Sequence, residues 1–175
     1  GRKLKSVPGD TTRPVTDRVK EALFNILSGD VIDSRWWDLF AGTGAIGIEA
    51  LSRGASFVRF TDLNRAPIET IKFNVDHCGF SSQAEVRRGD AFTLLSKGAD
   101  AQFEYIYIAP PQYKEMWEKA VELVDAAGAP EALAGAELVF EGVPETMEAK
   151  RQALAEYRSQ LVDGSYHQAV FNFGK

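Results

Sequence analysis

From residue 36 onwards, short apolar runs alternate with stretches of helical periodicity, and this alternation constrains the fold more than any other feature. Strand–helix alternation is typical of an α/β protein whose parallel sheet is covered by helices on both faces. The predicted strands lie at residues 36–40, 57–61, 84–88, 103–108 and 137–141. Ligands of such folds bind beyond the carboxyl ends of the strands, so the residues that follow these runs are the candidate site.

The helices between the strands are predicted from apolar spacing. One runs from a capping Thr16 to Leu27, and others cover residues 45–53, 91–97, 114–126 and 146–157. The first helix has an apolar face formed by Val19, Leu23, Ile26 and Leu27. Another helix repeats Ile68, Ile71, Val75 and Cys78 and ends at Gly79. Residues 160–162 and 168–173 flank Asp163-Gly164, which predicts an antiparallel pair.

A Gly-x-Gly-x-x-Gly motif, formed by Gly42, Gly44 and Gly47, lies between the first predicted strand and the following helix. Gly42 and Gly44 allow a sharp turn and a close approach of the backbone to a ligand. Gly47 allows the helix to pack closely on the sheet. The motif alone does not separate nicotinamide dinucleotide from other nucleotide ligands, because several folds share it.

One acidic residue lies near the carboxyl end of each of three successive strands: Asp38, Asp62 and Asp90. Asp38 would repel a pyrophosphate but suits a ligand that carries an ammonium and a sulfonium. Asp62 is placed to accept hydrogen bonds from ribose hydroxyls, and Asp90 from an adenine amino group. Together the acids favour S-adenosylmethionine over a nicotinamide cofactor, although each acid alone could instead cap a helix.

The charge is unevenly distributed over the 175 residues, whose net charge is −5. Residues 1–20 contain six basic residues against two acidic ones, whereas the remainder contains fourteen against twenty-three. Residues 1–15 therefore form a predicted basic arm, which either meets phosphates or is a solvated tail. One cysteine and two histidines do not favour a metal site, and no apolar run has the length of a membrane span.

Two sequence blocks resemble the bacterial 16S rRNA guanine-N2 methyltransferases of the RsmD type. They are RPVTDRVKEALFNIL at residues 13–27 and DLFAGTGAIGIEALSRGA at residues 38–55. The resemblance covers residues 1–113, and the last third is similar only in strand–helix order. It implies a Rossmann-like methyltransferase fold with a mostly parallel seven-stranded sheet, an antiparallel C-terminal strand and helices on both faces.

The resemblance also implies roles for individual residues. Arg13, Thr16 and Arg18 would lie at the substrate mouth, where a guanidinium can pair with phosphate. The alternative for Thr16 and Arg18 is a helix cap and a surface charge. The implied cofactor pocket is formed by Asp38, Phe40, Gly42, Thr43, Gly44, Asp62, Leu63, Asp90 and Ala91.

The predicted catalytic segment departs from the family signature, which is Asp or Asn followed by Pro, Pro and an aromatic residue. Here the segment is Ala109-Pro110-Pro111-Gln112-Tyr113. The Ala109 side chain cannot accept a hydrogen bond from a guanine amino group. The backbone carbonyls of Ala109 and Pro110, or the Gln112 amide, could accept it instead. Tyr113 could stack on a flipped base. The absence of one such hydrogen bond would cost about 1–3 kcal/mol, or ~10- to 100-fold in rate. The alternative is that the two prolines form only a rigid turn.

These features predict a single methyltransferase domain, residues 16–175, preceded by the arm. We expect a cytoplasmic monomer, not associated with a membrane, that uses S-adenosylmethionine on 16S ribosomal RNA within a small-subunit assembly particle. Two alternatives stay open: a catalytically impaired homologue that binds cofactor and RNA, and a methyltransferase acting on a small molecule or a protein. If RNA is the substrate, deletion of residues 1–13 should impair its methylation and leave cofactor affinity unchanged.

Overall fold

The computed structural model describes residues 3–9, 17–97, 101–110, 116, 119, 137–141 and 170–172. The helices are α1 (Asp17–Leu27), α2 (Ala45–Ser52), α3 (Arg65–Cys78) and α4 (Ala91–Ser96). The strands are β1 (Arg35–Asp38), β2 (Phe57–Asp62), β3 (Ala84–Arg88), β4 (Tyr105–Ile108), β5 (Glu137–Glu141) and β6 (Val170–Asn172). The predicted elements over this part of the chain are confirmed to within about two residues. The predicted helix at 146–157 and strand at 160–162 lie outside the described residues, as does most of the helix at 114–126.

The six strands form one sheet in the order β3-β2-β1-β4-β5-β6, and every strand pair is parallel. The chain moves from β1 towards β3 on one side and from β4 towards β6 on the other. The topological switch point therefore lies between β1 and β4, where open α/β sheets bind their ligands. The fold class is the α/β class that the alternation predicts.

The prediction of an antiparallel C-terminal strand is wrong for the residues that the structure describes. Strand β6 pairs in parallel with β5, with Phe171 opposite Phe140, and the described sheet has six strands where seven were expected. The turn predicted at Asp163-Gly164 is a local feature and bears only on the two segments next to it in the sequence. The direction in which a strand enters the sheet depends instead on the path of the chain over the whole molecule.

Two apolar clusters cover the two faces of the sheet because successive strand side chains point to opposite sides. In β1, Trp36 belongs to the first cluster, which packs under α1, α2 and α3. Its neighbour Trp37 belongs to the second cluster, to which α4 contributes Phe92 and Leu95. Both indole N–H groups are satisfied inside the protein, by Ser34 Oγ at 2.8 Å and by Thr61 Oγ1 at 3.0 Å. The helices thus cover both faces, as expected.

Ile26 of the predicted α1 face lies outside the core, and the Val19 side chain is not among those that the structure describes. Leu23, Phe24 and Leu27 are buried, and the Phe24 ring lies 5.6 Å from that of Trp36. Ile26 is 58% exposed, because at 100° per residue it projects about 105° from the middle of that buried face. The prediction that Ile26 belongs to the buried face is therefore wrong, and Phe24 takes its place.

A buried cation lies in the sheet on the side of the second cluster. The Arg59 side chain is 5% exposed, and its Nε lies 2.7 Å from Glu85 Oε2 on β3. Partial burial alone would raise the pKa of the Glu85 carboxyl, but hydrogen bonds and attraction from Arg59 and Arg87 outweigh burial and lower it. The ion pair therefore stays formed down to acidic pH. No helix within the described residues combines the length and apolar character that a membrane span requires.

Candidate functional site

The carboxyl ends of β1 to β4 lie side by side and form a surface that we call the carboxyl edge. Backbone hydrogen bonds continue past the strand ends and hold these segments together. They run from Leu39 N–H to Tyr107 O (3.1 Å), from Ala41 N–H to Thr61 O (2.9 Å) and from Gly89 N–H to Asp62 O (3.0 Å). The three acidic segments predicted from the sequence are therefore brought to one edge of the sheet.

The glycine loop, residues 39–44, connects β1 to α2 along this edge. Gly42 and Gly44 have φ angles of 55° and 79°, in the left-handed region that side chains with a Cβ rarely adopt. A Cβ placed on Gly42 would meet no atom of the described residues within 4 Å, so open space lies above Gly42 in this part of the chain. The loop thus presents its backbone to an accessible volume, as the glycine pattern predicts.

Asp62 is the last residue of β2 and braces the glycine loop. Its Oδ2 accepts a hydrogen bond from Gly42 N–H at 3.1 Å, and its Oδ1 accepts one from Asn64 N–H at 3.0 Å. Burial raises the pKa of this carboxyl above its ordinary 3.8, although backbone hydrogen bonds from Asn64, Gly42 and Leu63 act in the opposite direction. Each carboxylate oxygen can accept a further hydrogen bond. The side chain can therefore hold the loop and still accept donors from a ligand.

The other two acids occupy different environments. Asp38 is the last residue of β1 and is only 1% exposed. Asp90 caps α4, and both Thr93 N–H and Thr93 Oγ–H donate to its Oδ1 at 2.8 Å. The helix-cap interpretation is therefore correct for Asp90, and its contact with an adenine remains a prediction. Asp62 is not such a cap.

The remaining predicted pocket residues differ in accessibility. Leu63, directly after Asp62, is 56% exposed, and Phe40 is half-buried with its ring edge-on to Phe92 at 5.7 Å. Thr43 is half-buried within the glycine loop. The Ala91 methyl is buried in the second cluster, so this residue can offer a ligand little beyond its backbone.

The predicted catalytic and substrate residues are described only in part. Ala109 directly follows β4, is half-buried and packs against the first cluster, and Pro110 is buried. Pro111, Gln112 and Tyr113 lie outside the described residues, as do Arg13 and Thr16. For Arg18 the structure describes only the backbone, within α1.

Asn74 on α3 is a site residue that the sequence interpretation missed. It is 0% exposed, and its Nδ2 donates to the carbonyl of Thr43 in the glycine loop at 2.9 Å. The sequence feature that could have identified Asn74 is a polar residue on the apolar face of α3, next to Val75 and one turn after Thr70. Within the ranges that the structure describes, no group of histidine, cysteine or acidic side chains is arranged to hold a metal ion.

The carboxyl edge therefore combines an exposed backbone turn, acidic side chains and one exposed apolar residue. Carboxylates favour hydroxyl donors and positive charge, and Leu63 offers a flat apolar contact. A ligand with a sugar, an aromatic base and a cationic group suits this arrangement, whereas a pyrophosphate would approach Asp38.

Comparison with known proteins connects this site to a family. The model of the family described as "Conserved hypothetical protein 95" matches residues 1–168. The "Putative rRNA methyltransferase YlbH" of Bacillus subtilis is 43% identical over 123 residues, which are 69% of this chain and 66% of that protein. Ribosomal RNA small subunit methyltransferase D of Haemophilus influenzae is 36% identical over 126 residues, which are 71% of this chain and 65% of that protein.

The solved structures agree with the fold. "Putative methyltransferase yhhF from Escherichia coli" superposes with a TM-score of 0.62 at 34% identity, covering 72% of this chain and 67% of the other. The chain thus has a Rossmann-like methyltransferase fold. It spans just under two thirds of the length of the two sequence relatives above. From the family model and these relatives, the chain belongs to the conserved hypothetical protein 95 family, the RsmD-type family that its two sequence blocks resemble.

Proposed function

We propose that this chain is an S-adenosylmethionine-dependent methyltransferase that modifies the exocyclic N2 of a guanine in 16S ribosomal RNA. The observation that carries the proposal is the carboxyl edge, where Asp62 braces Gly42 beside open space. Membership of a family whose relatives are named ribosomal RNA methyltransferases supports both the reaction and the RNA substrate.

The residues at the carboxyl edge fit this cofactor. The open space above Gly42 admits a ligand against the loop backbone, and the spare acceptor capacity of Asp62 suits the two ribose hydroxyls. Asp38 would face the positively charged end of the ligand, while the exposed Leu63 would cover the adenine. A dinucleotide fits less well because its pyrophosphate would be brought towards a carboxylate.

Gly42, Asp62 and Leu63 would hold S-adenosylmethionine, which would supply a sulfonium methyl group for transfer to guanine N2, with S-adenosylhomocysteine as the leaving group and the N2 proton released to solvent. The N2 lone pair is delocalised into the ring, so the protein must orient the amino group. Ala109 has no side-chain acceptor, and we assign this orientation to the carbonyls of Ala109 and Pro110 or to the Gln112 amide. Tyr113 would stack on the base. The main contribution to rate is the alignment of the two reactants.

Methyl transfer tests the proposal directly. The protein is incubated with tritiated S-adenosylmethionine and with small-subunit RNA or 30S particles that lack the modification, and label is expected at a guanine N2. Calorimetry provides the control for cofactor identity: S-adenosylhomocysteine should bind and NAD should not. If S-adenosylhomocysteine binds but no guanine becomes labelled, the assigned substrate is refuted. If NAD binds and S-adenosylhomocysteine does not, the assigned cofactor is refuted.

The presence of alanine at position 109, where the family signature has Asp or Asn, favours a second candidate function. In this candidate the protein binds cofactor and RNA but is catalytically impaired. This candidate predicts that Ala109→Asp raises turnover ~10- to 100-fold by supplying the missing acceptor. Ala109→Leu is the matched control, because it has a similar size and no acceptor. Equal turnover of both variants and the parent protein would contradict impairment and would leave the backbone or Gln112 as the acceptor.

The setting of the reaction is also part of the proposal. Outside residues 1–20 the chain has more acidic than basic residues, so we infer that its nonspecific affinity for RNA is low. Recognition would then depend on folded RNA in a small-subunit particle. We propose a monomer that acts in the cytoplasm, where such particles assemble.

A further inference from the structure

The Asn74 side chain connects two segments that are far apart in the sequence. Its Oδ1 accepts a hydrogen bond from Lys5 N–H at 2.7 Å, and its Nδ2 donates to Lys5 O at 3.0 Å and to Thr43 O at 2.9 Å. Both amide hydrogens and the amide oxygen are therefore used. The three partners define the orientation of the amide, because two are acceptors and one is a donor.

Residues 3–9, which we call the N-terminal segment, make further contacts with the domain. Val7 is 7% exposed, and Leu4 packs against the first cluster. On the exposed face of α3, the Lys5 ammonium lies 5.1 Å from the centroid of the Phe73 ring. The described part of the basic arm is thus docked on the domain, in contrast to the solvated tail that was one interpretation of its sequence.

The same amide restrains the turn of the glycine loop. The peptide group between Thr43 and Gly44 is held at both ends: its carbonyl accepts from Asn74, and its N–H donates to Ala41 O at 2.7 Å. Gly42, one residue earlier, is held by Asp62. If the N-terminal segment left α3, Asn74 would lose two of its three partners in a buried position, and its hold on Thr43 would weaken.

We propose that Asn74 is a positioning residue that couples docking of the N-terminal segment to the shape of the glycine loop, and hence to cofactor affinity. This inference rests on the proposed function, because it takes the loop to be the cofactor site. It argues against the expectation that loss of the arm leaves cofactor affinity unchanged. By reciprocity, cofactor binding should strengthen docking of the segment by the same factor.

The test removes one backbone N–H from the N-terminal segment. Lys5→Pro abolishes the donor to Asn74 Oδ1, and Lys5→Ala is the matched control that loses the same side chain but keeps the N–H. We expect Lys5→Pro to bind S-adenosylhomocysteine about 3- to 10-fold more weakly than Lys5→Ala in calorimetry. Asn74→Ala should lose at least as much, and the Lys5 variants keep the test informative if Asn74→Ala fails to fold.

Hydrogen exchange provides a readout without ligand. In the unliganded protein, the Gly44 amide should exchange faster in Lys5→Pro than in Lys5→Ala, and in the parent protein S-adenosylhomocysteine should slow exchange of the Lys5 amide. The coupling would be overturned if the two Lys5 variants bound S-adenosylhomocysteine with affinities within twofold of each other and showed equal exchange rates at the Gly44 amide. If the parent protein binds no S-adenosylhomocysteine, the cofactor assignment fails, while exchange at Gly44 still decides whether the segment and the loop are linked.

Discussion

Asp62 combines a structural contact with the acceptor capacity that a nucleoside ligand needs. Its two oxygens hold the N–H groups of Gly42 and Asn64, and burial raises its pKa. The folded protein therefore holds this proton more tightly than the unfolded chain does. As a result, the ionised carboxylate costs stability above the raised pKa, and the unliganded protein regains that stability as the pH falls through it.

This pKa predicts how cofactor affinity depends on pH. Ribose hydroxyls donate to the ionised form, so affinity for S-adenosylhomocysteine should fall as the pH is lowered through the raised pKa of Asp62. Asp62→Asn should bind about 10- to 100-fold more weakly at pH 7 and show a weaker pH dependence. The measurement is calorimetry across the acidic range, with Asp76→Asn on the exposed face of α3 as control. A parent-like pH profile in Asp62→Asn would contradict this role.

At the scale of elements, the close approach of α2 to the sheet places the glycine loop. Gly47 is buried in α2, and a Cβ at this position would lie 2.3 Å from Phe60 Cε1 and 2.7 Å from Val58 Cγ1 on β2. Phe60 is itself 0% exposed, so its ring has little room to move. The absence of a side chain therefore allows the start of α2, and the loop before it, to lie against β2.

We expect Gly47→Ala to lower the free energy of unfolding by about 1–3 kcal/mol, because the added methyl forces Phe60 and Val58 apart. Urea denaturation measures this change. Gly29→Ala is the matched control, because a Cβ at Gly29 meets no atom within 4 Å among the residues that the structure describes. Equal stability of the two variants would show that α2 can shift away from β2 without cost.

At the scale of the whole molecule, charge is segregated between the N-terminal twenty residues and the rest. The first part is basic and the remainder acidic, so we expect the proposed contacts with RNA phosphates near residues 1–20. The structure docks residues 3–9 on α3, with the Lys5 backbone held by Asn74, next to the glycine loop. The described residues 3–9 of this basic region thus adjoin the proposed cofactor site.

This arrangement predicts a salt-dependent contribution of Arg13 and Arg18 to RNA binding. Each Arg→Gln substitution should weaken binding to small-subunit RNA and reduce the slope of log affinity against log salt by about 0.7–0.9 for each phosphate that the arginine neutralises. Affinity for S-adenosylhomocysteine should not change. Filter binding at several salt concentrations measures the slope, with the exposed Lys97→Gln as control. A slope equal to that of the control would exclude a phosphate contact.

Features of the protein that depend on contiguous residues could be predicted from its sequence. Apolar periodicity predicted the elements from α1 to β4, because strand and helix periods are local properties. The glycine spacing predicted the sharp turn at Gly42 and Gly44, and an acid near the end of each of three strands predicted the polar residues of the carboxyl edge. The resemblance of two sequence blocks predicted the family.

Which distant segments meet depends on tertiary packing, which the sequence patterns did not predict. Asn74 lies 69 residues from Lys5 and 31 from Thr43, and no local pattern pairs them. The direction of β6 followed from the path of the chain into the sheet, and the exposure of Ile26 from the face that α1 turns to Trp36. Contacts of this kind arise from packing between elements, which the periodicity of one segment does not encode.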